Sequence, residues 1–248
     1  MNRRLKPVVI LLLFVASGAH AGELQRAAAD VKSLITSPLH WRAREWRRFG
    51  EGAALVVAVG VADKQIENAF QRNRSSATDS FARTITPWGG HRAFEVSVAL
   101  IGVGYFSHNQ NVLGAGRDSL EAQLWAAGVI TPILKRAVGR ARPFLDEGAT
   151  SFRPEQGHAS AYESFPSGHA TNAFAAATAI AGHYHNWVVP TIVYSVATGV
   201  AMSRVNDRVH WPSDIVAGAL IGRAVGRGIV ARHMTIVPVK HGLLIHIR

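Results

Sequence analysis

Ser164-Phe165-Pro166-Ser167-Gly168-His169-Ala170-Thr171-Asn172-Ala173-Phe174 opens a stretch, 164–203, that contains no Asp, Glu, Lys or Arg. Ser167 stands before an apolar run, where its hydroxyl can accept from the free N–H groups of a first helical turn. The spacing predicts one helix over 167–182 and a second over 187–202. Outward from this stretch the same texture repeats. Apolar segments rich in Ala, Gly, Val and Leu, 11 to 18 residues long, alternate with polar turns. That pattern predicts an all-α fold, a single helical bundle.

Further helices are expected over 23–36, stopped at Ser37-Pro38, over 52–70 and over 93–106. A short helix over 79–85 is expected with Ser76 as its cap and Asp79 three residues on. Asp118 with Glu121 reads as the start of a helix to about Val138, kinked by Pro132. Ser213 reads as the cap of a last helix over 214–232, with Pro212 just outside. Residues 235–239 and 243–247 flank His241-Gly242 and read as a short C-terminal β-hairpin.

At the N-terminus, basic Asn2-Arg3-Arg4-Leu5-Lys6 precedes the apolar run 8–16 and the small-residue site Ala19-His20-Ala21. This is the pattern of a secretory signal peptide over 1–21, leaving one domain over 22–248. The formal net charge is +11, and losing Arg3, Arg4 and Lys6 leaves +8. A basic exported chain suits an anionic partner, a phosphorylated substrate or an anionic lipid surface. No nucleic-acid-binding motif is present, so nucleic acid is not expected as a partner. Glu95 on one apolar segment and Arg223 and Arg227 on the last argue for a soluble or peripheral domain. Each arginine would cost roughly 3 kcal/mol at a bilayer centre.

The chain has no cysteine, which excludes disulfides and a cysteine-based phosphatase. It has no Asp-x-Asp pair for an aspartyl-phosphate route, and no carboxylate and histidine spacing typical of a two-metal hydrolase. Three blocks remain that carry chemistry. They are Lys135 to Arg142-Pro143, then Pro166-Ser167-Gly168-His169, then Ser203-Arg204 followed by His210 and Asp214. They bring together three cations, a helix start suited to anions, two histidines and one carboxylate. Arg204 offers a guanidinium fork for phosphoryl oxygens. Asp214 lies four residues after His210, a spacing that lets it accept the Nδ1 proton and leave Nε2 free. Arg136 and Arg140 read as an ordinary solvated basic face.

The blocks resemble the three-part signature of the phosphatidic acid phosphatase type 2 superfamily, K-x6-RP, PSGH and SR-x5-H-x3-D. The superfamily includes bacterial acid phosphatases and vanadium haloperoxidases, and many of its members are polytopic. Eleven fixed positions in order arise by chance in roughly one chain in a hundred million, so the match is specific. It covers the motif core, 135–214. The resemblance implies that Lys135, Arg142, Arg204, Ser167 and Gly168 hold the phosphoryl group. It implies His210 as nucleophile through a phosphohistidine, Asp214 behind it, and His169 as acid and then base. It implies no cofactor and no metal.

The expected function is an exported phosphatase of phosphomonoesters or phosphoanhydrides, with lipid-linked phosphates as the leading substrates. A broad-specificity soluble periplasmic acid phosphatase and a vanadate-dependent haloperoxidase stay open as alternatives. Trp41, Arg42, Arg44, Trp46, Arg47, Arg48 and Phe49 read either as a membrane-surface contact or as a basic loop whose aromatics pack on the bundle. His183-Tyr184-His185 reads as solvent-facing, and His233 is given no role.

Overall fold

A computed structural model describes residues 36–239 and 242–247. The segment read as a signal peptide and most of the helix expected over 23–36 lie outside the described residues. The chain divides into two compact units, Met1–Trp41 and Arg42–Arg248. Among the described residues of the first, a 3-10 turn spans Ser37–His40, with the His40 ring bonded to the Thr36 carbonyl at 2.9 Å. The second holds the other described residues.

Its described part is a helical bundle that ends in a hairpin. The helices are α1 Ala43–Val61, α2 Asp63–Arg72, α3 Ser76–Ile85, α4 His91–Phe106, α5 Gln110–Gln123, α6 Thr131–Val138, α7 Gly168–Gly182, α8 Val188–Asn206 and α9 Pro212–His233. Strands β1 Met234–Val239 and β2 Gly242–Ile247 pair antiparallel, with Met234 opposite Ile247 and Val239 opposite Gly242. The all-α bundle and the terminal hairpin are as the sequence predicts.

Several boundaries differ, each for a local reason. The segment expected as one helix over 52–70 begins at Ala43 and breaks at Ala62 into α1 and α2. The cap of α3 is Ser75, not Ser76. The Ser75 hydroxyl accepts from the Thr78 N–H at 3.3 Å, and the Ser75 N–H donates to the Thr78 hydroxyl at 3.0 Å. Asp79 is thereby released to bind Arg74 and Asn206. Asn109 caps α5 well before Asp118, which lies buried in mid-helix. Around Pro132 the helix is not pure α but widens one turn before the proline. With no N–H to donate, it follows a π-helical segment, Leu124–Ile130, and the Thr131 hydroxyl donates to Ala126 O at 2.8 Å. Pro212 is inside α9, and the Ser213 hydroxyl donates to Asp63 at 2.6 Å rather than capping.

The centre of the bundle is α7, which buries Ala170 to Ala173 and Ala175 to Ile180. It lies backbone to backbone against α9. A Cβ built at Gly222 would stand 2.3 Å from Thr171 O, and at Gly218 2.6 Å from Ser167 O. Glycines four apart on α9 therefore form the seam that lets the two axes approach. On its other side α7 packs Ala173 and Ala177 against Ala197 and Val200 of α8, with Phe174 and Tyr194 at the edge. Such small side chains leave no room for a methyl group's error.

The outer helices are different. α1 buries none of its side chains, although 52–61 is wholly uncharged. Val103, Tyr105 and Phe106 on α4, and Ile192 on α8 with Trp187 just before it, are also exposed. By length and composition α8 could cross a membrane.

Candidate active site

The ends of four helices, α6 to α9, and the loops between them build the site. The Ser167 hydroxyl accepts from Ala170 N at 3.4 Å and starts α7, as its sequence position predicts. Its own N–H donates to Asp214 O at 3.0 Å, which ties the start of α7 to the start of α9. Gly168 is the first residue of α7. A Cβ there would make only ordinary contacts, 3.7 Å to Thr131 and 3.9 Å to the Lys135 side chain. Packing therefore places no demand for glycine at that position. His169 follows, 3.7 Å from a Cβ built at Gly90, and the Asn172 amide holds that turn by donating to Gly89 O and Gly90 O.

The cations come from separate elements. Lys135 is on α6, which ends at Gly139 with φ of 58°. A side chain at Gly139 would collide with Arg153 O at 2.0 Å, so the chain can turn there only through glycine. Arg142 sits in extended backbone before Pro143, and its N–H donates to Ala161 O. Arg204 is near the end of α8. Its Nη1 donates to the Thr86 hydroxyl at 2.9 Å and to Asp207 at 3.1 Å.

Electrostatics show that these groups share one environment. Burial lowers Lys135 to about 8, and the Arg142 charge adds to the effect against Glu163 and Asp214. Glu163 stands 4.0 Å from its ammonium. Burial also lowers Arg142 and Arg204. Both guanidinium Nε atoms are buried with no hydrogen-bond partner. An unpaired buried donor on a cation is costly, and an anion is what would satisfy it. His169 is held at about 3 by burial and by the positive charges of Arg204, His210, Lys135 and Arg142.

His210 is 2% exposed. Burial depresses it to about 4, with Asp214 pulling it up and Arg142 and Lys135 pushing it down. Its Nδ1 lies 2.6 Å from the Ser164 carbonyl and 3.8 Å from Asp214 Oδ2. This corrects the sequence reading, in which Asp214 accepts the Nδ1 proton directly. A carbonyl can only accept, so Nδ1 carries the hydrogen and the Nε2 lone pair stays free. The expected tautomer is present, but Ser164 sets it.

Asp214 is fully buried and already occupied. It accepts from Arg140 at 2.5 Å, from the Ser164 hydroxyl at 2.5 Å and from Trp211 N at 2.8 Å. Burial alone would raise its carboxyl. The neighbouring His210, the Arg140 charge and the Ser164 hydroxyl outweigh that and hold it below the usual range.

All eight residues singled out from the three blocks thus meet in or beside one pocket of charge. Sequence reasoning missed others. Arg140 does not lie on a solvated face; it is 4% exposed. Asp63, Ser164, Thr86 and Asn172 were passed over, since a carboxylate in an amphipathic helix and a backbone carbonyl have no local signature. His183 is buried too, not solvent-facing, and bonds to Asp118 at 2.8 Å. Asp118 also holds His233 at 2.7 Å.

A lipid A 1-phosphatase of Rhizobium etli is 45% identical over 98 residues, 39% of this chain and 41% of that protein's length. The decaprenylphosphoryl-5-phosphoribose phosphatase of Mycobacterium tuberculosis is 30% identical over 148 residues, 58% of this chain and 75% of that one. Among solved structures, a transmembrane PAP2 type phosphatidylglycerolphosphate phosphatase from Bacillus subtilis superposes with a TM-score of 0.56. It is 23% identical and covers 74% of this chain and 92% of its own. The sequence model of the PAP2 superfamily matches residues 121–237, and those residues hold all of the charged pocket described above except Thr86 and the α2 carboxylate: the chain belongs to the PAP2 superfamily.

Proposed function

We propose that this chain is an exported lipid phosphatase that works through a phosphohistidine on His210 without a metal ion. The observation that carries the reading is the pair of neutral imidazoles, His169 and His210, set among three desolvated cations, two of which keep unsatisfied donors. Lys135, Arg142, Arg204 and the N-terminal amides of α7 clamp the phosphoryl group. His210 Nε2 attacks phosphorus in line, and the bond to the leaving oxygen breaks.

His169 then has to give that oxygen a proton. In the free site it carries none near neutral pH. A bound phosphate offsets the charges of Arg204, Lys135 and Arg142 that depress it, so His169 gains its proton together with the substrate. After leaving-group departure it takes a proton from water, which attacks the phosphohistidine and frees phosphate. Asp214 steadies the His210 charge during both steps.

Two of the relatives are phosphatases of lipid A and of decaprenylphosphoryl-5-phosphoribose, which favours a lipid-linked phosphate. The surface agrees. Trp46 and Phe49 are 51% and 57% exposed, beside Arg42, Arg44, Arg47 and Arg48 and ahead of the uncharged stretch 52–61 of α1, which has no buried residue. This arrangement suits a peripheral contact with an anionic bilayer.

The test is phosphate release by the chain from a lipid phosphate in micelles and from a soluble monoester, with His210→Ala beside it. Preference for the lipid, lost in the variant together with label trapped on the protein under alkaline quench, supports the proposal. Equal turnover of the soluble ester would make it a broad acid phosphatase. Retained activity in His210→Ala would remove the nucleophile.

A further inference from the structure

We infer that Arg140, with Asp63 behind it, is a positioning residue that fixes the Asp214 carboxylate beside His210 while keeping it off the ring proton. The inference rests on His210 being the attacking group.

Arg140 differs from the other arginines of the pocket. Arg142 and Arg204 keep an unpaired Nε, whereas the Arg140 fork is fully used. Its Nε and Nη2 donate to Ala149 O at 2.9 and 2.6 Å. Nη1 donates to the Ser213 hydroxyl at 2.8 Å and to Asp214 Oδ1, and Nη2 donates to Asp63 Oδ2 at 2.6 Å. The guanidinium also lies 5.7 Å from the centre of the Trp211 ring. No donor is left for a substrate, so Arg140 acts on the protein.

What it acts on is one buried ion network that joins distant parts of the chain. Asp63, at the start of α2, accepts from Ser213 N at 2.8 Å, from the Ser213 hydroxyl and from Arg140. Asp214 accepts from Arg140, Ser164 and Trp211, which accounts for both oxygens. Held in this way, the carboxylate offers His210 its charge across 3.8 Å and cannot swing to Nδ1. The proton stays on Nδ1, bonded to the Ser164 carbonyl, a group that cannot take it. Without Arg140 the carboxylate is free to rotate onto the ring or to become protonated.

The experiment compares wild type, Arg140→Gln, Arg140→Lys, Asp63→Asn and the Arg140→Gln/Asp63→Asn double variant. Arg140→Gln is expected to lower kcat about 10- to 100-fold, the scale of losing a group that orients a reacting one. KM and the affinity for inorganic phosphate are expected to stay within about twofold, because Lys135, Arg142 and Arg204 remain. The acid limb of the kcat profile is expected to move to higher pH, since Asp214 loses the cation that keeps it ionised. Arg140→Lys cannot form the fork and is not expected to restore the rate. The double variant is expected to be no worse than Arg140→Gln alone, the sign of residues acting as one unit.

The His210 ring nitrogens give a readout that does not depend on turnover. Their NMR shifts report Nδ1 protonated in wild type and a changed ring environment in Arg140→Gln. An inactive wild type that still shows this tautomer and binds phosphate would fail the phosphatase reading and not this one. If Arg140→Gln does not fold, Asp63→Asn carries the test with the same directions. Unchanged kcat, an unmoved acid limb and unchanged His210 shifts would overturn the inference, as would loss of phosphate binding in step with kcat.

Discussion

The helix pair α7 and α9 has two ends, and buried charge is treated in opposite ways at each. At the N-terminal ends, Lys135, Arg142 and Arg204 crowd together, and two of them keep buried donors without partners. At the C-terminal ends, a single carboxylate, Asp118, lies between His183 at 2.8 Å and His233 at 2.7 Å. Its leftover atom, His183 Nδ1, is the bare acceptor of a ring that donates through Nε2. Charge left incomplete is charge held for a ligand, and charge completed within the protein holds helices together.

Substitutions at the two ends should therefore have opposite signatures. Lys135→Met is expected to cut kcat/KM about 10²- to 10³-fold, by loss of charge opposite the phosphoryl group. It should at the same time raise stability at neutral pH by about 1–2 kcal/mol, because a strained ammonium is gone. Steady-state kinetics and phosphate-free melting would show both; a variant that is both inactive and less stable would break the comparison.

Asp118→Asn is expected to do the reverse. Removing the carboxylate strands two histidines and should cost about 3 kcal/mol in urea unfolding, while kcat/KM of the folded fraction stays within about twofold. Burial alone would raise Asp118, but His183 and His233 outweigh it and hold the folded carboxyl low. Its contribution is therefore present above the unfolded value of 3.8 and is lost as pH falls through the lower folded value.

The pH dependence sharpens the contrast. His210 attacks as a neutral ring, so kcat/KM should fall as pH drops through about 4 and fall again as Lys135 deprotonates near 8. Stability should follow the same histidines. Below 6.5 the unfolded chain takes up protons at His169 and His210 that the folded chain refuses until about 3 and 4. The folded state is then progressively destabilised over that window. Inorganic phosphate should counter the loss, since it favours protonated His169. Melting curves from pH 7 to 4, with and without phosphate, check this. The smallest effect is expected from Thr86→Val, which frees one Arg204 donor and should change KM only a few-fold, about two to five.

How much of this could be read in the sequence depends on where each residue's partners lie. Ser167 capping a helix and the small residues of 167–182 are local signals, and the structure follows them. The three blocks converge because each sits where a helix begins or ends, which the apolar pattern already marks. Asp118 deceived for the same reason. Asp followed by Glu121 imitates a capping pair, while its actual partners are 65 and 115 residues further on. Arg140 was hidden among other arginines, and only its distance to Asp63, 77 residues earlier, separates it from them. The Ser164 carbonyl that holds His210 could not have been found at all, because every residue has one.

The glycine seam has one more consequence. Gly218, Gly222 and Gly226 bring α9 against the backbone and the Thr171 and Thr178 side chains of α7, so close backbone contact more than the fit of large side chains sets the gap between the helices. The gap works as a gauge block for the chemistry. His169 and His210 stay in register however the outer surfaces of α1, α4 and α8 are rewritten. Exterior and reaction centre are thus mechanically decoupled, and a new substrate or surface preference can be tried on the outside without recalibrating the inside.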